Sequence, residues 1–148
     1  MFNWMEISVV LSEPIAVVGA SNNPEKFGYK VVQALKEVGA KIYPVNPKAK
    51  EILGLRTYEK LSEIEAEVGT VVFIVPPAVA FEVMNEVVSL GIKRAWFQPG
   101  SESKMSEAFC KMNDVEYEMS KCIIVEANKV SITSQNTMQK SNLNARFN

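Results

Sequence analysis

Short apolar runs alternate with longer stretches of helical spacing, and that alternation predicts the fold. Ile15 to Val18 is apolar at every position, as expected of a strand buried on both faces of a parallel sheet. The run breaks at Gly19 into small and polar residues. A helical pattern then covers Phe27 to Val38, with Val31, Val32, Leu35 and Val38 on one stripe and Gly39 as its stop. Lys41 to Val45 reads as a second strand, Leu53 to Tyr58 as a short extended piece, and Lys60 to Val68 as a brief helical turn. Thr70 to Val75 is a third strand ended by Pro76-Pro77. The helix predicted over Val79 to Leu90 has the stripe Val79, Val83, Val87 and Leu90, with Gly91 after it. Lys93 to Phe97 gives a fourth strand, Ser101 to Met112 a helix capped by Ser101 or Ser103, and Val115 to Met119 a fifth strand. At the start, Phe2, Trp4, Met5 and Val9 fall near helical spacing, a short helix within residues 1–13 that ends before Pro14. The prediction is an α/β fold: a Rossmann-like open parallel sheet of about five strands with helices on both faces. Residues 1–126 form this domain, and the Asn-, Ser- and Gln-rich stretch 127–148 reads as a polar tail.

The turn after the first strand points to chemistry. A strand, a loop of small residues and a helix start make the opening unit of a nucleotide-binding domain, in which Gly19 lets backbone approach a diphosphate, and Ala20 and Ser21 keep the approach open. Helix amides with Ser21 Oγ supply donors, and Lys26 and Lys30 add cationic charge nearby. A valine at position 19 is expected to block the ligand while leaving the domain folded. Gly19 and Gly28 are the only glycines here, so the dinucleotide pattern G-x-G-x-x-G is absent. The second strand ends in Asn46-Pro47-Lys48, where an NAD enzyme carries an acid for the ribose hydroxyls. An amide followed by a cation suits a ligand with an extra ribose phosphate, a description that fits coenzyme A and NADP. Gln98 ends the fourth strand with a polar amide aimed at the crevice, while Trp96 reads as core.

Composition narrows the options. The chain of 148 residues is 47% hydrophobic and 22% charged, the proportions of one globular domain. Its 16 basic and 17 acidic side chains leave a net charge of −1, so no global field draws it to nucleic acid or an anionic membrane. No run is long enough to span a membrane, and the start lacks the features of a secretory signal. Two cysteines, Cys110 and Cys122, make no disulfide framework or metal-ligand spacing, and a cytoplasmic protein is expected. There is no histidine, which removes His-based acid–base catalysis and Cys-His or Ser-His nucleophiles.

Four pieces carry a family resemblance: Val18-Gly-Ala-Ser21, Pro44-Val-Asn-Pro47, Trp96-Phe-Gln-Pro-Gly100, and Cys122 after the fifth strand. Together, over roughly residues 15–125, the chain resembles the small CoA-binding proteins with a Rossmann-like fold, related to the CoA-binding domain of succinyl-CoA synthetase α subunits. The resemblance implies coenzyme A or an acyl-CoA as ligand, with Lys48 on the position of a lysine that contacts it. It also implies that Val75, Pro76 and Pro77 stand where a Val-Pro-Ala turn lines the adenine or diphosphate. Two departures are visible: Lys26 stands where relatives often have arginine, and Ser120-Lys121 replaces an Asp-Arg pair before the cysteine.

The expected function is non-catalytic binding of CoA or an acyl-CoA, as carrier, sensor or partner module, with a homo-oligomer or an unidentified protein partner left open. Two alternatives remain. An NADP-dependent oxidoreductase needs a substrate pocket and proton donor, and Tyr29, Tyr43, Tyr58 and Tyr117 are not expected to supply its Tyr-x-x-x-Lys pair. A CoA-binding subunit of an acyl-CoA synthetase would need a partner chain to bring the histidine that carries phosphate.

Overall fold

The computed structural model describes residues 6–130. Helix α1 (Ile7–Ser12) leads into β1 (Ile15–Val18), α2 (Phe27–Glu37) and β2 (Ile42–Val45). A two-stranded antiparallel excursion follows, β3 (Glu51–Ile52) with β4 (Leu55–Arg56), then β5 (Thr70–Phe73), α3 (Pro77–Ser89), β6 (Arg94–Phe97), α4 (Lys104–Met112) and β7 (Glu116–Glu118). The five long-range strands form one parallel sheet in the order β2-β1-β5-β6-β7. This is the doubly wound α/β fold that the alternation of strands and helices predicted.

All four residues of β1 and of β5 are buried, because these central strands are covered on both sides. Alternate side chains feed two cores. Ala16, Val18, Val71, Phe73, Ala95 and Phe97 meet Ala80, Met84 and Val87 of α3 and Cys110 of α4, with the Phe73 and Phe97 rings stacked at 4.9 Å. On the other face Ile15, Val17, Val72 and Trp96 pack against Val31, Val32 and Leu35 of α2 and Val10 of α1. Trp96 is core, as expected, and its Nε1 donates to the Lys121 carbonyl at 3.0 Å.

Several elements differ from the sequence reading, each for a physical reason. Helix α3 begins at Pro77, with Pro76 as N-cap, since a first-turn proline gives up no helical hydrogen bond. Its buried face is Ala80, Met84 and Val87, while Val79 and Leu90 are 40% and 45% exposed. Apolar residues occupy more than one face of this helix, so periodicity admitted two stripes, and packing selected the one carrying Ala80, small enough to sit close to the sheet. Helix α4 is capped by Ser103, whose Oγ accepts from Ser106 N; Ser101 is instead buried and accepts from Val75 N at 3.1 Å. In α1 only Val10 is buried and Val9 is exposed, and Phe2, Trp4 and Met5 lie outside the described residues. A helical run over 123–130 crosses the composition change at Ala127 and buries Ile123 and Ala127; the polar stretch 131–148 lies outside the described residues.

Candidate functional site

In an all-parallel sheet every strand ends at the same edge. The chain leaves β1 toward β2 on one side, while β5 continues the sheet on the other, so the crevice between the ends of β1 and β5 is the topological switch point where ligands of such folds lie. Gly19, Ala20 and Ser21 follow β1, Asn46, Pro47 and Lys48 follow β2, and Val75, Pro76 and Pro77 follow β5. Gln98 follows β6 one strand further away. The sheet thus brings the first three groups together.

Two glycines set the geometry of the first loop. Gly19 has φ +100°, and a Cβ there would collide with the Ile74 carbonyl oxygen and lie 2.7 Å from Ile74 C and 2.9 Å from Val75 Cγ1. The close approach at Gly19 is therefore made first by the chain itself, which corrects the expectation that valine would leave the domain folded. Gly28, in the first turn of α2, would drive a Cβ into the Gly19 carbonyl oxygen and to 3.2 Å from Ser21 N. Its bare backbone draws the start of α2 against the Gly19–Ser21 loop. In the sequence Gly28 bears on the dinucleotide pattern alone; its place as a glycine at the head of an otherwise apolar stripe is the signal of this close approach.

The remaining residues divide by what they touch. Ala20 is buried in the core beside α2. Ser21 Oγ accepts from Asn23 N at 3.0 Å, which keeps its own proton available for donation. Helix α2 opens at Lys26 with no side-chain cap and no acidic residue in its first turn, so its positive end is uncompensated. Lys26 and Lys48 are exposed and make no ion pair among the described residues, whereas Lys30 lies 5.7 Å from the centre of the Phe27 ring. Asn46 makes three hydrogen bonds: its Nδ2 donates to the Ala20 carbonyl at 2.8 Å, and its Oδ1 accepts from Lys48 N at 2.7 Å and Ala49 N at 3.0 Å. Asn22 Nδ2 donates to the Glu51 carbonyl at 2.9 Å, bracing the same loop against β3. Pro47, Pro76 and Pro77 are exposed and Val75 is half-buried.

Gln98 is buried, and its amide turns inward: Oε1 accepts from Ile123 N at 2.7 Å and Nε2 donates to Cys122 Sγ at 3.4 Å. It fastens the start of the helical run 123–130 to β6. Tyr117 and Lys121 do stand at Tyr-x-x-x-Lys spacing, contrary to expectation, yet they are drawn to separate partners. The Tyr117 hydroxyl donates to Glu107 Oε2 at 3.1 Å, and burial followed by this bond raises its pKa, opposite to what an activated proton donor needs. Lys121 pairs with Glu118 and Glu126. A cavity of about 370 Å³ opens between Glu13, Leu61, Gly69 and Arg94, at the opposite end of the strands. Among the described residues no three Cys, Asp or Glu side chains cluster as a metal site would need, and no helix is long and apolar enough to cross a membrane.

The two cysteines should behave differently. Cys110 is fully buried, and burial, then the charge of Glu107, pushes its pKa from 9.0 to about 12. Because the folded state holds this proton more tightly, its contribution to stability is complete below pH 9.0 and is lost as pH rises toward about 12. At neutral pH, iodoacetamide followed by mass spectrometry is expected to label half-buried Cys122 and spare Cys110; equal labelling would show that this helix opens readily.

The family model described as a CoA binding domain matches residues 13–128. Among curated proteins, the α subunit of ADP-forming acetate–CoA ligase II from Pyrococcus furiosus is 37% identical over 100 residues, covering 63% of this chain and 22% of that protein. ADP-forming acetate–CoA ligase II from Archaeoglobus fulgidus is 36% identical over 125 residues, covering 83% of this chain and 18% of that one. The chain thus spans about a fifth of the length of these relatives. Among solved structures, a conserved hypothetical protein from Pyrococcus furiosus superposes with TM-score 0.74 at 43% identity, over 77% of this chain and 98% of that one. The dinucleotide-forming acetyl-coenzyme A synthetase 1 of Ca. Korarchaeum cryptofilum, solved with phosphate and ADP, gives TM-score 0.65 at 29% identity over 74% of this chain and 26% of that one.

Proposed function

The chain belongs to the CoA-binding domain family, and on that premise we propose that it binds coenzyme A or an acyl-CoA at the β1–β5 crevice without chemistry of its own. The observation that supports the reading is an uncapped helix start next to the switch point, with Lys26 at that helix start and Lys48 in the loop after β2 making no ion pair among the described residues. The ligand's diphosphate lies against the Gly19–Ser21 loop and the positive end of α2, with Ser21 and Lys26 beside it. Lys48 takes the ribose phosphate, and Val75, Pro76 and Pro77 form a rigid wall with few N–H donors, suited to a flat base. Asn46 and Pro47 shape the second loop, and Gln98 secures the far wall.

Calorimetric titration with CoA, dephospho-CoA and NADH tests this. CoA is expected to bind tightest and both dephospho-CoA and NADH more weakly, because each of these carries a free ribose diol and the end of β2 offers a cation and no carboxylate for it. NADH binding as tightly as CoA would overturn the assignment.

The domain acts as a carrier, sensor or partner module in this reading. The ligase relatives favour one form of it, a CoA-holding piece of an acyl-CoA ligase. Alone, the protein mixed with acyl-CoAs is expected to release no free thiol above background. Saturable hydrolysis that disappears in Cys122→Ser would show a thioesterase instead.

A further inference from the structure

We infer that Asn46 is a positioning residue that couples the diphosphate loop to the ribose-phosphate lysine, an inference that rests on the CoA reading above. Its carboxamide makes three hydrogen bonds, two accepted by Oδ1 and one donated by Nδ2. Nδ2 reaches across to the Ala20 carbonyl at 2.8 Å and so holds the loop after β1, while Oδ1 gathers the Lys48 and Ala49 amides at 2.7 and 3.0 Å and so holds the loop after β2. Its own backbone is fixed too, its N donating to the Tyr58 carbonyl at 2.9 Å, and Gly19 N donates to the Val45 carbonyl at 3.3 Å alongside. One half-buried side chain therefore sets the separation of two ligand-facing loops and the direction in which Lys48 leaves the backbone.

The residue type matters as much as the place. A carboxylate at this position would still accept from the Lys48 and Ala49 amides, yet it has no donor for the Ala20 carbonyl and would set negative charge against that oxygen. An amide serves both loops and adds no charge beside the phosphates. Asn46 thereby favours a phosphorylated ribose through the placing of Lys48.

A double-mutant cycle on the whole chain separates this role from a merely structural one. In the parent protein, Lys48→Ala is expected to weaken CoA roughly tenfold. On an Asn46→Ala background the same change should weaken CoA less than about threefold, since Lys48 is no longer aimed. Asn46→Asp retains the acceptor, so the Lys48→Ala penalty should persist there while affinity for CoA and dephospho-CoA falls together; this variant carries the test if Asn46→Ala does not fold. Hydrogen exchange of the Lys48 and Ala49 amides should quicken in Asn46→Ala and stay slow in Asn46→Asp. An unchanged Lys48→Ala penalty in Asn46→Ala would reduce Asn46 to a generic loop support and overturn the proposal, with the CoA reading intact. Absence of CoA binding by the parent protein would overturn both.

Discussion

Gly19→Val is expected to destabilise the fold severely and to abolish any ligand binding. Position 19 combines a backbone conformation that a β-branched residue avoids with a neighbour that does not move cheaply, the Ile74 main chain at the end of β5. A non-glycine residue held in a sparsely populated region costs about 1–3 kcal/mol. Overpacking against buried backbone adds about 1–3 kcal/mol. The sum, about 2–6 kcal/mol, reaches the low end of the whole stability of a typical domain, about 5–15 kcal/mol. β1 and β5 are neighbours in the sheet, and Ile74 N donates to the Val18 carbonyl at 2.8 Å, so pushing their ends apart opens the middle of the molecule. Far-UV dichroism and a urea titration read the result. A native spectrum with an unchanged midpoint would mean that the β1–β5 contact is looser than described, and would return Gly19 to a purely ligand-facing role.

The central strands were legible in the sequence because they are buried on both faces. Ile15–Val18 and Thr70–Phe73 could be read as strands because no polar residue interrupts them beyond Thr70, and glycine and proline punctuate their ends. The second loop was legible in kind: Asn46-Pro47-Lys48 announces a turn with a cation. Its wiring was not. Asn46 to Ala20, Ser101 to Val75 and Gln98 to Ile123 join residues 26, 26 and 25 positions apart, so no local pattern announces them. Gln98 illustrates the consequence. A polar residue at a strand's carboxyl end reads as ligand-facing, yet the same amide is what a helix start needs when it must be pinned to a sheet in a buried place. The stripe of α3 was ambiguous for another reason, because a helix apolar on most of its surface does not encode which face meets the sheet.

Lys48→Ala is expected to lower affinity for CoA roughly tenfold and to leave dephospho-CoA unchanged. A hydrogen bond to a charged group contributes about 1.5–3 kcal/mol, and the lower end applies because Lys48 is exposed and partly screened by solvent. The comparison of ligands isolates the ribose phosphate, since CoA and dephospho-CoA share every other group. Salt provides a second axis: raising ionic strength should weaken CoA binding by the parent protein more steeply than by Lys48→Ala, as screening acts on the contact that the variant has already lost. A diphosphate placed, as proposed, on the backbone amides at the start of α2 and the Gly19–Ser21 loop should keep the residual affinity nearly equal for the two ligands in the variant. Equal weakening of CoA and dephospho-CoA by Lys48→Ala would move this lysine to the diphosphate. No weakening of either would leave Lys48 a solvated charge and require another group, Lys26 first, to account for any preference for the phosphorylated ribose.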